Sequence, residues 1–257
     1  MRKTVVGGQN MNRDRILERV QHLLEAYHNG LLGGEKMPED ENPALPRDSK
    51  ENYLYFTLPM ALNYQRNSYT LWECANRMYG DNYARKVFDS RSVCEMDEEE
   101  LRQILVKYRV ALQPNRHPAI WHTLCQTIEN RLDGDIRTLF WQNDCSVQKI
   151  KEFIQQHKKE FPYLGGNKIC NYWLYVIGQR TDMEFCDWEA LSIAPDTHVI
   201  QASVRLGILT DEEAEHPDAQ LITAERWKGL LVGSDFIPIA LHTPLWLWSR
   251  GKFTIDI

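Results

Sequence analysis

Apolar residues recur every three or four positions along most of the chain, which is the pattern of amphipathic helices. The stretch from Arg13 to Tyr27 shows it plainly, and Asp97 to Val110 adds an acidic first turn that suits a helix start. Ser146 is placed as the N-cap of a helix from Val147 to His157, and Asn167 to Gln179 follows as another. Alternating apolar stretches are few, so the pattern predicts an all-α fold.

Interruptions of this pattern predict where the helices end. Gly30 to Lys50 is rich in Gly, Pro, Glu and Asp, and we expect a mobile loop there. Tyr53 to Tyr79 is one long apolar pattern that we expect to break or restart near Pro59. After Arg180 the chain turns polar and acidic before the next helix begins.

Composition and charge narrow the class of protein. The chain has 257 residues, 43% of them hydrophobic, and a formal net charge of −6. These values indicate a globular protein that does not coat nucleic acid or membrane by bulk attraction, although a local basic face remains possible. The first ten residues contain no apolar run, and no stretch is long enough to span a bilayer, so we expect a cytoplasmic protein without membrane contact.

The six cysteines are widely spaced, without any close metal-ligand pattern. We therefore expect reduced thiols, no metal site and no cofactor.

One window combines a glycine turn with positive charge. Between residues 146 and 180 there are six basic and two acidic side chains, and the turn from Phe161 to Lys168 joins two predicted helices. Backbone amides at such a turn and the positive end of the second helix suit a phosphate group. The predicted phosphate contacts are Gly165, Gly166, Asn167, Lys158 and Lys159. An ordinary helix hairpin with solvated lysines is the alternative.

A second window places Asp196 between Pro195 and Thr197, immediately before a predicted helix. A carboxylate at this position is an ordinary N-cap.

Three segments together resemble the helix-hairpin-helix DNA glycosylases, of the endonuclease III and 8-oxoguanine glycosylase type. Gly166-x-Lys168 matches the end of the family hairpin, Pro195 to Val199 is similar to its Val-Asp-Thr-His segment, and Leu62 to Asn67 looks like Leu-Ser-x-Gln. Leu164 stands where the family has its first hairpin glycine. Residues 181–191 read as an insertion that lengthens the spacing between the two later motifs, and this longer spacing resembles the archaeal 8-oxoguanine glycosylases more than endonuclease III. The iron–sulfur loop of endonuclease III is missing.

The resemblance implies two helical lobes with a cleft between them. A central bundle over 53–180 would carry the hairpin, and 1–52 with 181–257 would form the second lobe. The implied partner is double-stranded DNA containing a damaged or mismatched base, bound by a monomer that associates with the nucleoid. The implied activity is base excision with strand cleavage at the abasic site.

The resemblance also assigns the catalytic roles. Lys168 would attack C1′ of the sugar and form a Schiff base, which requires a deprotonated amine. We expect Ile169, Tyr172 and Trp173 to bury the amine and so lower the pKa of Lys168. Asp196 would stabilise positive charge on the sugar or move a proton.

An extruded base needs a group to fill its gap and a surface on which to stack. Gln65, with Arg66 and Asn67 behind it, is the gap-filling candidate, and an exposed helix start is the alternative. The candidate stacking residues are aromatic side chains that could equally belong to the core, namely Tyr172, Trp173, Trp246 and Trp248.

Two further functions are consistent with the same residues. One is a non-catalytic nucleic-acid-binding protein on this scaffold, and the other is an N-glycosidic hydrolase of a free nucleoside or nucleotide. The net charge of −6 favours the hydrolase, whereas the basic turn favours nucleic acid.

Overall fold

A computed structural model describes residues 6–33, 37–63 and 65–257, with side chains from residue 12 onward except that of residue 167. Within this part of the chain every regular element is helical and no strand occurs, so the predicted all-α class is confirmed. None of the described helices is both long and apolar enough to cross a bilayer.

The described residues form thirteen α-helices joined by short turns and 3₁₀ segments. In chain order they are α1 (Val6–His28), α2 (Lys50–Leu62), α3 (Ser68–Gly80), α4 (Ser90–Glu95), α5 (Glu98–Lys107), α6 (His117–Arg131), α7 (Arg137–Gln142), α8 (Val147–Gln156), α9 (Asn167–Arg180), α10 (Thr197–Leu206), α11 (Asp211–Glu215), α12 (Ala219–Leu231) and α13 (His242–Arg250).

The chain divides into two compact units, one discontinuous and one continuous. Residues 1–35 and 191–257 make up unit 1, and residues 36–190 make up unit 2. The sequence-based boundaries, at 52/53 and 180/181, differ from these because two segments flanking the central bundle pack onto it.

Contacts of these two segments explain the division. Glu39, in the stretch predicted to be a mobile loop, is buried and accepts a 2.9 Å hydrogen bond from the Tyr172 hydroxyl. On the other side, the Tyr53 hydroxyl donates to Asp182 at 2.7 Å, and Arg180 pairs with Asp40. Among the described residues, the loop predicted over 30–50 is found between α1 and α2, except for a short 3₁₀ turn at Pro38–Asp40. This turn packs against α3 and, through Glu39, against α9, so that part of the loop is held in place.

Helix α2 passes through the proline that was expected to break it. Pro59 lies inside the helix, which continues to Leu62 before the chain turns. A proline removes one backbone donor, and the surrounding packing compensates for that loss. All residues from Asn52 to Leu62 are buried, so α2 is a central helix of unit 2 rather than an amphipathic surface helix.

Each unit has its own apolar core. In unit 2, α2 packs against α3, α6 and α9, and its core contains the fully buried Trp72, Trp121 and Trp173. In unit 1, helices α1, α10, α12 and α13 enclose a cluster around Trp227, whose indole N–H donates to Ser203 at 2.8 Å.

Candidate nucleic-acid interface

Helix α8, the first helix of the glycine-turn window, has a start whose amides are satisfied by side chains. Ser146 accepts from the amide of Lys149 at 3.2 Å, as the sequence predicts for an N-cap. The Asp187 carboxylate accepts from the amides of Val147 and Gln148 at 2.6 and 3.1 Å. No open donor set is therefore expected at this helix end.

The turn between α8 and α9 uses its glycine amides internally. The amide of Gly165 donates to the Phe161 carbonyl at 2.8 Å, and that of Gly166 donates to the Tyr163 carbonyl at 2.9 Å. The predicted phosphate contact through these two amides does not match this arrangement. Gly166 is the N-cap of α9 and supplies no side-chain cap. A helix start of this kind suits an anion through its backbone amides and the positive end of the helix dipole.

Close packing explains why glycine occupies position 165. A Cβ atom there would lie 3.0 Å from Cγ of Lys158 and 3.3 Å from the Phe161 carbonyl oxygen. The aliphatic stem of Lys158 therefore passes directly over the turn, and its exposed ammonium lies on the same side of the hairpin.

The basic side chains of this window differ in whether they contact an acceptor group of the protein. Lys149 forms a 2.6 Å ion pair with Asp144, and the ammonium of Lys151 lies 3.4 Å from the Ala190 carbonyl. Lys158 and Lys159 are exposed beside the turn. The charge available to an anion therefore comes from the turn end of α8.

Lys168 lies in the first turn of α9, and its side chain is exposed. Trp173 is fully buried in the core, where its indole N–H donates to Thr57 at 3.2 Å. Tyr172 is half-buried and bonded to Glu39. The expected apolar wall around the Lys168 amine is wrong, because the amine is solvent-accessible.

The segment predicted to fill the gap of an extruded base lies at the start of α3. Gln65 is exposed and has a positive φ of 49°. Arg66 donates to the carbonyls of Val110 and Arg109 at 2.6 and 2.8 Å, so its guanidinium holds the backbone together. Asn67 is the N-cap of α3 and accepts from the Thr70 amide at 3.1 Å.

Residues 109–117 connect this segment to the glycine turn. Arg66 bonds the backbone at residue 109, and His117 accepts from the Leu112 amide at 3.3 Å. At the other end of the stretch, the Arg116 guanidinium lies 5.0 Å from the ring centre of Tyr163. These contacts connect the segment around Gln65 to the turn through the interior of unit 2, because Val110 and His117 are buried.

Two exposed cations of this stretch, Arg109 and Arg116, were not identified from the sequence. They lie in a proline-containing stretch between helices, without periodicity or a motif. The only available signal was the concentration of Arg109, Arg116 and His117 within one short turn region.

His117 is buried between Arg66 and Arg116. Burial lowers the pKa of His117, and the charges of Arg66 and Arg116 lower it further. A neutral imidazole is therefore favoured at this position.

Asp196 lies in unit 1 and caps α10, accepting from the Val199 amide at 2.9 Å. The carboxylate therefore acts as the helix cap, and any catalytic role would be exercised from this same position. Trp246 contacts the His198 ring at a centroid distance of 5.4 Å. Trp248 is buried and donates to the Ile255 carbonyl at 2.8 Å, which makes it a packing residue of unit 1.

Among the described residues, no group of three or more His, Cys, Asp or Glu side chains is arranged to hold a metal ion. All six cysteines are free thiols in this structure.

Comparison with known proteins brings no match to any family model, and none among curated proteins.

Proposed function

We propose that this protein is a DNA base-excision glycosylase that acts through Lys168 as a nucleophile. The observation that carries the proposal is the start of α9, which lacks a side-chain cap and bears the exposed Lys168. This helix belongs to unit 2 of a chain whose net charge is −6.

A DNA backbone is the anion that suits this helix start. Phosphate groups bind helix starts through backbone amides and the positive end of the helix dipole. Four exposed cations of the same unit would contact further phosphates and supply affinity without sequence preference. They are Arg109, Arg116, Lys158 and Lys159.

The chemistry assigned to Lys168 is imine formation. Its amine nitrogen would attack C1′ while the glycosidic bond breaks, and the base would leave with the bonding electrons and take up a proton. Opening of the sugar ring then gives a carbon–nitrogen double bond to the lysine. The attack requires the amine in its deprotonated form.

Asp196 would balance the positive charge that develops on the sugar. An ionised carboxylate serves this purpose without changing its own protonation state. Because the same carboxylate caps α10, its position is fixed by the backbone before any substrate binds.

A non-catalytic nucleic-acid-binding protein is the second candidate, and the exposure of Lys168 favours it. An exposed lysine side chain on a nucleic-acid-binding surface commonly contacts phosphate without any covalent step.

Borohydride trapping during turnover tests the proposal. Duplexes that each contain one damaged or mismatched base are incubated with the protein and reductant. We expect a covalent adduct that maps to Lys168, and its loss in Lys168→Gln. Lys159→Gln is the matched control, since it removes one exposed cation near the turn and keeps the nucleophile.

Binding measured over a range of salt concentrations separates the alternatives. Steep salt dependence without any adduct on a full lesion panel favours the non-catalytic protein. An adduct that survives Lys168→Gln contradicts the assignment of the nucleophile. Affinity that does not depend on salt contradicts both DNA-binding functions.

A further inference from the structure

Two cysteines distant in sequence are neighbours in unit 2. The backbone amide of Cys186 donates to the carbonyl of Cys145 at 3.1 Å. This hydrogen bond brings the two backbones into direct contact, and a disulfide requires Cα atoms roughly 4.4–6.8 Å apart. The two cysteines therefore lie side by side in the fold, which is the arrangement from which a disulfide can form.

The two thiols differ in accessibility. Cys186 is exposed, and its sulfur lies 3.7 Å from the carbonyl oxygen of Asp144. Asp144 is the residue immediately before Cys145 in the chain. Cys145 is half-buried, and burial together with the nearby Cys186 raises the pKa of the Cys145 thiol. An oxidant in solution would therefore reach Cys186 first.

The segment that carries Cys186 spans residues 181–190, which we call the strap. The strap touches both helices of the glycine-turn window. Asp187 accepts from the first amides of α8, as described above. Trp188 lies against α9, where a Cβ on Gly178 would come within 2.4 Å of its ring. A covalent link at Cys186 would therefore fasten the strap to the residues just before α8.

We propose that Cys145 and Cys186 form a reversible redox pair that closes to a disulfide on exposure to a peroxide. The Cys186 sulfur would attack one peroxide oxygen, breaking the O–O bond and giving a sulfenic acid and one water. The Cys145 thiolate would then attack that sulfur and release a second water after proton transfer. Two electrons pass from the thiols to the peroxide, and a dithiol reductant reverses the bridge.

A second cysteine pair provides a comparison within the same unit. Cys94, on α4, is close enough to Cys125, on α6, to raise the pKa of that thiol, although burial is the main cause. Cys125 is fully buried, and the two residues lie on different packed helices. No backbone hydrogen bond between Cys94 and Cys125 is found in the described residues. The Cys94–Cys125 pair should therefore react more slowly than Cys145–Cys186.

The experiment treats the full chain with hydrogen peroxide, blocks remaining thiols with an alkylating agent and maps the peptides by mass spectrometry. We expect one cross-linked peptide pair joining positions 145 and 186, lighter by two hydrogen atoms. The melting temperature should rise by roughly 5 °C, because the bridge closes a long loop in the unfolded chain. Dithiothreitol should restore both the free thiols and the original melting temperature.

Variants make the result decisive. Cys186→Ser alters an exposed side chain and should abolish the cross-link and the thermal shift, whereas Cys94→Ser should keep both. Cys145→Ser should leave Cys186 to be oxidised beyond the sulfenic acid or capped by added glutathione. A cross-link between Cys94 and Cys125, a link between two chains, or irreversible oxidation of Cys186 in the unmodified sequence would each overturn the proposal.

Discussion

The starts of α9 and α10 carry the two residues proposed for catalysis, and they are built in opposite ways. At α10 the Asp196 carboxylate accepts from the Val199 amide and occupies the positive end of the helix. At α9 the N-cap is Gly166, which has no side chain to offer. One helix start brings its own anion, whereas the other leaves room for an anion from outside.

This difference separates a structural helix end from a binding one. The satisfied start of α8 shows the structural pattern again, with Ser146 and Asp187 both accepting from its first turn. At α9 the start has no side-chain cap and bears the exposed Lys168. Changing what occupies each helix start should therefore have distinct effects on activity, stability and affinity.

The largest expected effect is on activity and concerns Asp196. Asparagine caps a helix as well as aspartate does, so Asp196→Asn should leave stability within about 0.5 kcal/mol. If the carboxylate stabilises charge on the sugar, base excision should nevertheless fall by about 10²-fold or more. Single-turnover excision and thermal unfolding measured on the same samples separate the two roles.

Asp196→Ala is the matched control, because it removes both the cap and the charge. It should cost about 1 kcal/mol of stability in addition to the loss of activity. If Asp196→Asn excises the base from a true substrate as fast as the parent protein, the catalytic role is contradicted and Asp196 is a helix cap only.

The next effect is on stability and concerns Asp187. Its carboxylate accepts from the amides of Val147 and Gln148 and from the hydroxyl of Ser146. Asp187→Ala leaves these donors without that acceptor and should cost roughly 2 kcal/mol, because charge-assisted hydrogen bonds are lost at a helix start. Urea unfolding measures this loss as a lower midpoint, provided that the dependence of the unfolding free energy on urea concentration is unchanged.

Asp187→Asn retains one acceptor oxygen and should cost about half as much. A loss in the alanine variant below about 0.5 kcal/mol would show that water replaces the carboxylate at α8.

An intermediate effect on affinity is expected when α9 is given an anion of its own. Gly166 has φ −76° and ψ 132°, which suits any capping residue, and a Cβ there would lie 3.2 Å from the Tyr163 carbonyl oxygen. Gly166→Asp should change stability by less than about 0.5 kcal/mol, because the cap gain and this close contact offset one another. Duplex affinity should fall about five- to tenfold, since the carboxylate repels phosphate.

Gly166→Asn provides the uncharged counterpart and should weaken binding much less. Fluorescence anisotropy at two salt concentrations compares the variants. Equal affinity for the aspartate and asparagine variants would argue that no phosphate reaches the start of α9.

The smallest effect concerns Asn67, which the sequence suggested as a DNA contact. Its side chain caps α3 through the Thr70 amide, so Asn67→Ala should cost about 1 kcal/mol of stability. Duplex affinity should change less than about twofold, because the side chain is committed to the helix. Asn67→Ser, which retains a capping oxygen, should recover the stability. A selective loss of affinity would instead make Asn67 part of the interface.

Much of the fold was predictable because helix starts have local causes. Ser146 and Asp196 cap the predicted helices, and Asp97 accepts from the amides of Glu99 and Glu100 at the start of α5. These signals depend on residues within one turn of each other, so no tertiary information is needed.

The errors arose where tertiary packing overrides local preference. Pro59 lies within a helix buried on all sides, and Glu39 is buried in a segment whose composition suggests a loop. Burial of Glu39 also raises its pKa, a cost that no local rule anticipates. The contact of Arg66 with residue 109 is equally non-local, which is why the exposed cations Arg109 and Arg116 were missed.

The discontinuity of unit 1 has a consequence for synthesis on the ribosome. Helix α1 buries Ile16, Val20 and Leu23 among residues of α10, α12 and α13, which are made last. Translation of residues 36–190 takes about 10–30 s, during which α1 has none of these partners, while unit 2 can fold as it emerges. The nascent chain therefore presents an apolar helix face for a period long enough for a chaperone to bind it.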